Sequence, residues 1–143
     1  MENQSRTDIL SEEDRSERMS RVRQLDTDLE TVVRKFLFAR GFRYRKNDRR
    51  YQGSPDIILP KYRTAIFIHG CFWHGHPSCR AARLPKSRQE FWAKKISNNI
   101  ERDSKKIQLL ERENWKVIVV WGCELERKKD CELRLMKLIE EIK

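Results

Sequence analysis

The chain has 143 residues and a formal net charge of +10, from 32 Lys plus Arg against 22 Asp plus Glu. That length suits one domain with a core of its own, and no apolar run approaches the roughly 20 residues of a membrane-spanning helix. Met1 to Asp8 lack the apolar run of a secretory signal, so a soluble protein of a reducing, intracellular compartment is expected.

Residues 1–18 are charged and poor in large apolar groups, and are expected to form a mobile segment ahead of a single domain over residues 19–143. Asp26-Thr27-Asp28-Leu29-Glu30 reads as a helix start, with Thr27 as N-cap and Glu30 as its capping-box partner. Leu29, Val32, Val33, Phe36 and Leu37 follow at helical spacing, and Gly41 ends the element. Phe42 to Arg45 alternates like a strand. Asp56 to Leu59 and Thr64 to His69 read as two more strands, joined by a turn at Pro60 to Arg63. A long helix is expected from about Ser87 to Glu113, burying Phe91, Ile96, Ile100, Ile107 and Leu110. Lys116 to Trp121 is a short apolar strand with Cys123 just past its end. Leu133, Met136, Ile139 and Ile142 mark a closing amphipathic helix, and Trp115 and Trp121 are assigned to the core. The order α-β-β-β-α-β-α predicts an α/β fold, a mixed central sheet flanked by helices.

The positive charge is concentrated. Between residues 40 and 50, Arg40, Arg43, Arg45, Lys46, Arg49 and Arg50 face only Asp48. Between 80 and 95, Arg80, Arg83, Lys86, Arg88, Lys94 and Lys95 face only Glu90. Two such stretches are the footprint of a protein that binds a phosphate backbone.

Residues 69–79 hold all three histidines, two of the four cysteines, Phe72 and Trp73. Imidazole and thiolate together are zinc chemistry. Cys71, His76 and Cys79 are close enough to share one ion, and Cys123 is the natural distant fourth ligand. Four protein ligands close the coordination sphere and make such a site structural. The remaining imidazoles are free for catalysis. A disulfide is disfavoured because nothing points to secretion, and Cys131 is a spare thiol.

Ser54-Pro55-Asp56 opens a strand whose hairpin partner ends at His69, which sets a carboxylate where it can hold Mg²⁺ beside a scissile phosphate. This Pro-Asp hairpin resembles the restriction-endonuclease-like nuclease fold. That fold supplies a Glu-x-Lys pair from the second strand, but Ile66-Phe67-Ile68-His69 carries neither an acid nor a lysine. Histidine, with a pKa near neutrality, is the best remaining group to activate water.

From about Met19 to Leu125 the chain resembles the very-short-patch-repair (Vsr) mismatch endonucleases of bacteria. The resemblance rests on Leu29-Glu30, Gly53-Ser54-Pro55-Asp56, the block at 69–79, Glu90-Phe91-Trp92, Asn99 to Asp103 and Val119 to Cys123. It implies a Mg²⁺-dependent nickase, acting in the bacterial cytoplasm, that cuts 5′ to the thymine of a T:G mismatch left by deaminated 5-methylcytosine. A cytosine-5 methyltransferase and the general mismatch-repair proteins would then be functional partners. By position, Asp56 would bind the metal together with the main-chain carbonyl of Ile68. His74 would be the general base, His69 would lie close to the same phosphate, and Glu30 and Asp103 would be acidic supports. Phe72, Trp73 and Trp92 would wedge into the duplex beside the mismatch, and Met19 would reach in from the other groove; unstacking is cheaper at a mismatch than at a matched pair. Without the resemblance, Glu30 reads equally well as a cap, Asp103 as a solvated helix face and Trp92 as core. A monomer is expected.

Two departures stand out. Pro77 and Ser78 separate His76 from Cys79, where shorter family versions have one residue, so spacing leaves His74 as a second candidate for zinc. Gly122 precedes Cys123 where an acidic residue is usual. Two other readings fit the same residues: a zinc-stabilised DNA-binding domain without nuclease activity, or a restriction-like endonuclease of the same fold.

Overall fold

A glycine fixes where the first helix gives way to the sheet. The computed structural model describes residues 28–51 and 53–143, and residues 28–39 form helix α1. The N-terminal segment 1–18, Met19 and Thr27 lie outside the described residues. Gly41 sits at φ +88°, a conformation L side chains resist. Its N–H donates to the Phe38 carbonyl and the Phe42 N–H donates to the Leu37 carbonyl, both at 3.0 Å. This paired closure satisfies the last carbonyls of α1 and turns Phe42 back onto the core.

The sheet has four strands in the order β1 (Arg45–Lys46), β2 (Ile57–Leu59), β3 (Thr64–His69), β4 (Lys116–Trp121). β1–β2 and β2–β3 pair antiparallel, whereas β3–β4 pair parallel from Thr64↔Lys116 to His69↔Trp121. A parallel pair needs a long crossover, which helix α2 (Gln89–Arg112) supplies. Helix α3 (Lys128–Ile142) closes the chain. α2 ends as α1 does: Asn114 at φ +67° lets the Trp115 N–H reach the Leu110 carbonyl at 3.0 Å.

Two apolar layers cover the sheet. On one face Val33 and Leu37 of α1 and Leu135, Leu138 and Ile142 of α3 pack against Ile57, Ile66, Ile68, Ile118 and Val120. On the other, Leu110 of α2 and Trp115 pack against Ile58, Ala65 and Phe67. β3 is therefore buried along its whole length, which explains its unbroken apolar run.

The structure corrects three expectations. The strand expected at Phe42 to Arg45 shrinks to Arg45–Lys46, because Phe42 and Tyr44 are spent on the core, Phe42 meeting the Tyr62 ring at 5.5 Å. On α3 the buried stripe is Leu135, Leu138 and Ile142; Leu133 and Met136 are 63% and 49% exposed. Both stripes have helical spacing, so periodicity alone could not choose between them. On α2, Ile96 and Leu110 are buried but Phe91 and Ile100 are exposed. Here the helix's N-terminal half lies over a loop and not over the sheet.

Ile66 and Met136 test this arrangement. Ile66→Ala should lower the unfolding free energy in urea by about 2–5 kcal/mol, and Met136→Ala by less than about 0.5 kcal/mol.

Candidate active site and metal centre

The parallel register builds the metal centre. His69 and Trp121 are paired at the ends of β3 and β4, so residues two positions further on, Cys71 and Cys123, emerge side by side. The Cys123 N–H donates to Cys71 Sγ at 3.3 Å. After Cys71 the chain folds back on itself: the His74 N–H reaches the Gly70 carbonyl at 3.1 Å and the His76 N–H the Cys71 carbonyl at 3.0 Å. Gly75 makes this possible at φ +60°; a Cβ there would lie 2.7 Å from Ile96 and Ile100 of α2. The loop thus rests backbone-first on α2.

One ligand atom from each of Cys71, His76, Cys79 and Cys123 lies within 4.8 Å of every other. His76 Nδ1 is 3.6 Å from Cys71 Sγ and 3.5 Å from Cys123 Sγ. A tetrahedral ion with ordinary metal–sulfur and metal–nitrogen bonds requires sulfur-to-nitrogen edges of about 3.5 Å. The donor set therefore fits a thiophilic, four-coordinate ion. Burial pushes the Cys71 thiol up to about 12, and burial also raises Cys123. At Cys79 burial acts upward too, but hydrogen bonds from the Ala81 N–H and from the neighbouring thiols outweigh it, so its net shift is downward. Ser78 adopts φ +56°, the turn by which the two residues between His76 and Cys79 are accommodated. Gly122 also acquires a physical account: a Cβ there would sit 3.1 Å from Leu29 Cδ1 of α1, so a larger residue requires that leucine to move.

His74 lies elsewhere. Its Nδ1 is 2.6 Å from Asp103 Oδ2 of α2. An ionised carboxylate only accepts, so Nδ1–H donates and Nε2 carries the lone pair of the neutral ring. His69 stacks on His74 with ring centroids 3.9 Å apart and planes 4° from parallel. Burial, then the charge of His74, pulls the His69 pKa down to about 4, and its Nδ1 is buried with no hydrogen-bond partner among the described residues. Burial acts upward on Asp103, but its hydrogen bond with His74 and the charges of His74, His69 and Lys106 together bring it down. Trp121, expected in the core, is half-buried between the two sites, stacked on His76 at 4.0 Å and edge-on to His69 at 5.1 Å.

Asp56 Oδ2 accepts the Ile68 N–H at 2.6 Å, which extends the β2–β3 hairpin by a side-chain bond. Burial raises the Asp56 pKa against that bond and against the charges of His74, Lys106 and Arg34. Arg34 and Lys106 went unrecognised in the sequence. Arg34 is 3.8 Å from Glu30, one helical turn away on α1, so it links Glu30 electrostatically to Asp56. Lys106 lies one turn beyond Asp103. Spacings of four and three residues on helices were the available signals.

Phe72, Trp73 and Trp92 form a half-buried cluster of edge-on rings with centroids 5.2–6.0 Å apart, and Phe91 extends it at 5.2 Å from Trp92. The Asn99 side-chain amide donates to the Trp73 carbonyl at 2.9 Å. A cavity of about 510 Å³, open to solvent, adjoins the dyad and is lined in part by His69, His74, Asp103, Ile107 and Trp121. No helix among the described residues is long and apolar enough to cross a membrane.

A family model described as DNA mismatch endonuclease Vsr matches residues 7–80. The chain is 54% identical to the type II nicking enzyme V.NmeAIP of Neisseria meningitidis, over 96% of this chain and 97% of that protein. It is 44% identical to the type II nicking enzyme V.XorIIP of Xanthomonas oryzae, over 94% and 98%. It is 37% identical to the DNA mismatch endonuclease Vsr of Escherichia coli, over 94% and 86%.

Removing one of the four candidate ligands should cost metal and stability together. Cys123→Ala is expected to lose its tightly bound ion by elemental analysis and to melt on the order of 10 °C lower than the metal-loaded protein. A well-folded variant retaining a full equivalent of metal would remove Cys123 from the ligand set.

Proposed function

Because the chain belongs to the Vsr family of DNA mismatch endonucleases, we propose that it nicks one strand of duplex DNA 5′ to the thymine of a T:G mismatch. The observation that carries this reading is the His74–Asp103 hydrogen bond at 2.6 Å, stacked under His69, with the Asp56 carboxylate held at the adjoining hairpin. A DNA-binding module has no need of a base, its orienting carboxylate and a second, half-buried carboxylate beside a closed four-donor cluster.

Asp56 and the Ile68 carbonyl are the groups that would hold Mg²⁺, and a half-buried carboxylate without an ion pair among the described residues suits a cation. When bound, Mg²⁺ supplies stabilisation of the negative charge that builds on the phosphorus centre and the leaving oxygen. His74 Nε2 takes the proton of the attacking water, and Asp103 fixes the ring's tautomer and stabilises the imidazolium that forms. His69, which burial keeps neutral at physiological pH, lies close to the same phosphate, stacked on His74. Glu30, with Arg34, supports Asp56 from α1. Phe72, Trp73 and Trp92 stack against bases opened at the mismatch, each contributing roughly 1–3 kcal/mol. Met19, outside the described residues, is assigned the same duty from the opposite groove. The four-donor cluster at Cys71, His76, Cys79 and Cys123 is assigned to structural Zn²⁺.

T:G mismatches arise where 5-methylcytosine deaminates, so a cytosine-5 methyltransferase is the expected functional partner, with general mismatch-repair proteins acting downstream. The bacterial cytoplasm, where such DNA is found, is the expected location, and the protein is expected to act as a monomer.

The test is nicking of end-labelled duplexes in Mg²⁺, T:G against matched controls in several flanking sequences. Cutting just 5′ of the mismatched thymine, lost with EDTA and in Asp56→Ala, is the expected result. Equal cutting of matched duplexes would favour the restriction-like reading, and tight binding without cutting in every context would favour a DNA-binding module. Within the dyad, His74→Ala and Asp103→Asn should each slow single-turnover nicking by about 10²–10⁴-fold with duplex affinity nearly unchanged.

A further inference from the structure

Building on the nicking reading, we infer that Lys106 is a phosphate-binding residue of this active site, supplying from helix α2 the cation that strand β3 lacks. β3 runs Thr64–His69 without a lysine, although the hairpin that holds Asp56 resembles folds that place one there. α2 brings a lysine against Gly53, at the start of the turn that leads to Asp56.

The placement of Lys106 rests on packing. A Cβ built on Gly53 would lie 2.8 Å from Lys106 Cβ, 3.0 Å from its Cγ and 3.4 Å from its Cδ. The methylene stem therefore runs directly over Gly53, which opens the turn leading to Asp56, where Gly53 at φ +73° and Ser54 at φ +47° hold the chain close to the helix. Lys106 is half-buried. It lies one helical turn beyond Asp103, which holds the His74 ring, and its stem packs at the start of the turn that leads to Asp56, so it stands beside the groups that surround the reacting phosphate. Among the described residues it forms no ion pair and no side-chain hydrogen bond. Arg34, the other cation that acts on Asp56, lies 3.8 Å from Glu30 and donates to the Thr31 hydroxyl at 3.2 Å.

Charge balance gives this cation a task. Asp56 and Asp103 bring two carboxylates to the place where an anionic phosphodiester must lie. The repulsion is reduced if a point charge with three donors approaches a non-bridging oxygen from the helix side. The stem explains the geometry: anchored on Gly53, it loses little freedom when the ammonium binds.

Lys106→Met keeps the stem and removes the charge, and Lys106→Arg keeps a charge. Three measurements decide: thermal melting, single-turnover nicking of a T:G duplex in saturating Mg²⁺, and affinity for the uncut duplex across a salt series without Mg²⁺. Lys106→Met should melt with the wild type. Its nicking should slow on the order of 100-fold. Its plot of log affinity against log salt should be shallower by about one unit, the signature of one lost phosphate contact. Lys106→Arg should recover the salt slope and most of the rate. A Lys106→Met protein with wild-type rate and wild-type slope would overturn the assignment. Should wild-type protein leave every duplex uncut, the nicking reading falls, and the salt slope alone still accepts or rejects the phosphate contact.

Discussion

The parallel pairing of β3 with β4 is the constraint on which the rest of this molecule depends. Its register sets His69 opposite Trp121, and everything functional is measured from that rung. Two residues further along each strand come Cys71 and Cys123, fifty-two positions apart in sequence and joined by a hydrogen bond at 3.3 Å. A one-residue slip would move the His69 side chain to the opposite face of the sheet and separate the two cysteines. The hydrophobic layers on both faces of β3 make such a slip costly, because Ile66 and Ile68 belong to one core and Ala65 and Phe67 to the other.

From this rung the metal cluster and the histidine pair are two consequences of one turn. The loop from Gly70 to Cys79 contributes little to either core, so backbone bonds and α2 hold it, with the four-donor cluster as a further tie when it is loaded with an ion. Trp121 stands between the two sites, stacked on His76 and edge-on to His69. An ion that fixes His76 therefore fixes Trp121, and Trp121 in turn limits where the His69 ring can lie. Under the proposed assignment, a structural metal at this cluster would act on catalysis by holding ring planes, without touching substrate.

What could be read from the sequence depended on whether the signal was chemical or geometric. The block at 69–79 was legible because imidazole and thiol at that density have few other uses, and β3 and β4 were legible as unbroken apolar runs with the observed ends. The face of α3 was not, since stripes through Leu133 and Leu135 obey the same period and only packing distinguishes them. Spacing left both His74 and His76 open as partners for the cysteines; the fold places His76 with the thiols and His74 with Asp103. Arg34 and Lys106 were hidden among 32 basic residues, and a spacing of four or three from an acid, the signal each carried, does not tell a cation that faces a carboxylate from one that faces water.

Helix α2 ties the aromatic cluster to the histidine–aspartate pair. Asn99 and Asp103, four residues apart, lie on one helical face. Asn99 holds the carbonyl of Trp73 at 2.9 Å and Asp103 holds the ring of His74 at 2.6 Å. Trp73 and His74 are consecutive, so the aromatic cluster and the proposed general base are fastened by neighbouring hydrogen bonds to the same rigid rod. Two turns earlier on that rod, Trp92 completes the aromatic cluster, and one turn later Lys106 covers the turn that presents Asp56. A base pair that resists opening would push on Trp73 and Trp92, and the displacement would reach His74 through the adjoining peptide. A mismatch that opens readily leaves the dyad in register. On the proposed reading, selectivity for a weak base pair would follow from stiffness: the proposed wedge cannot be displaced without also displacing the proposed general base.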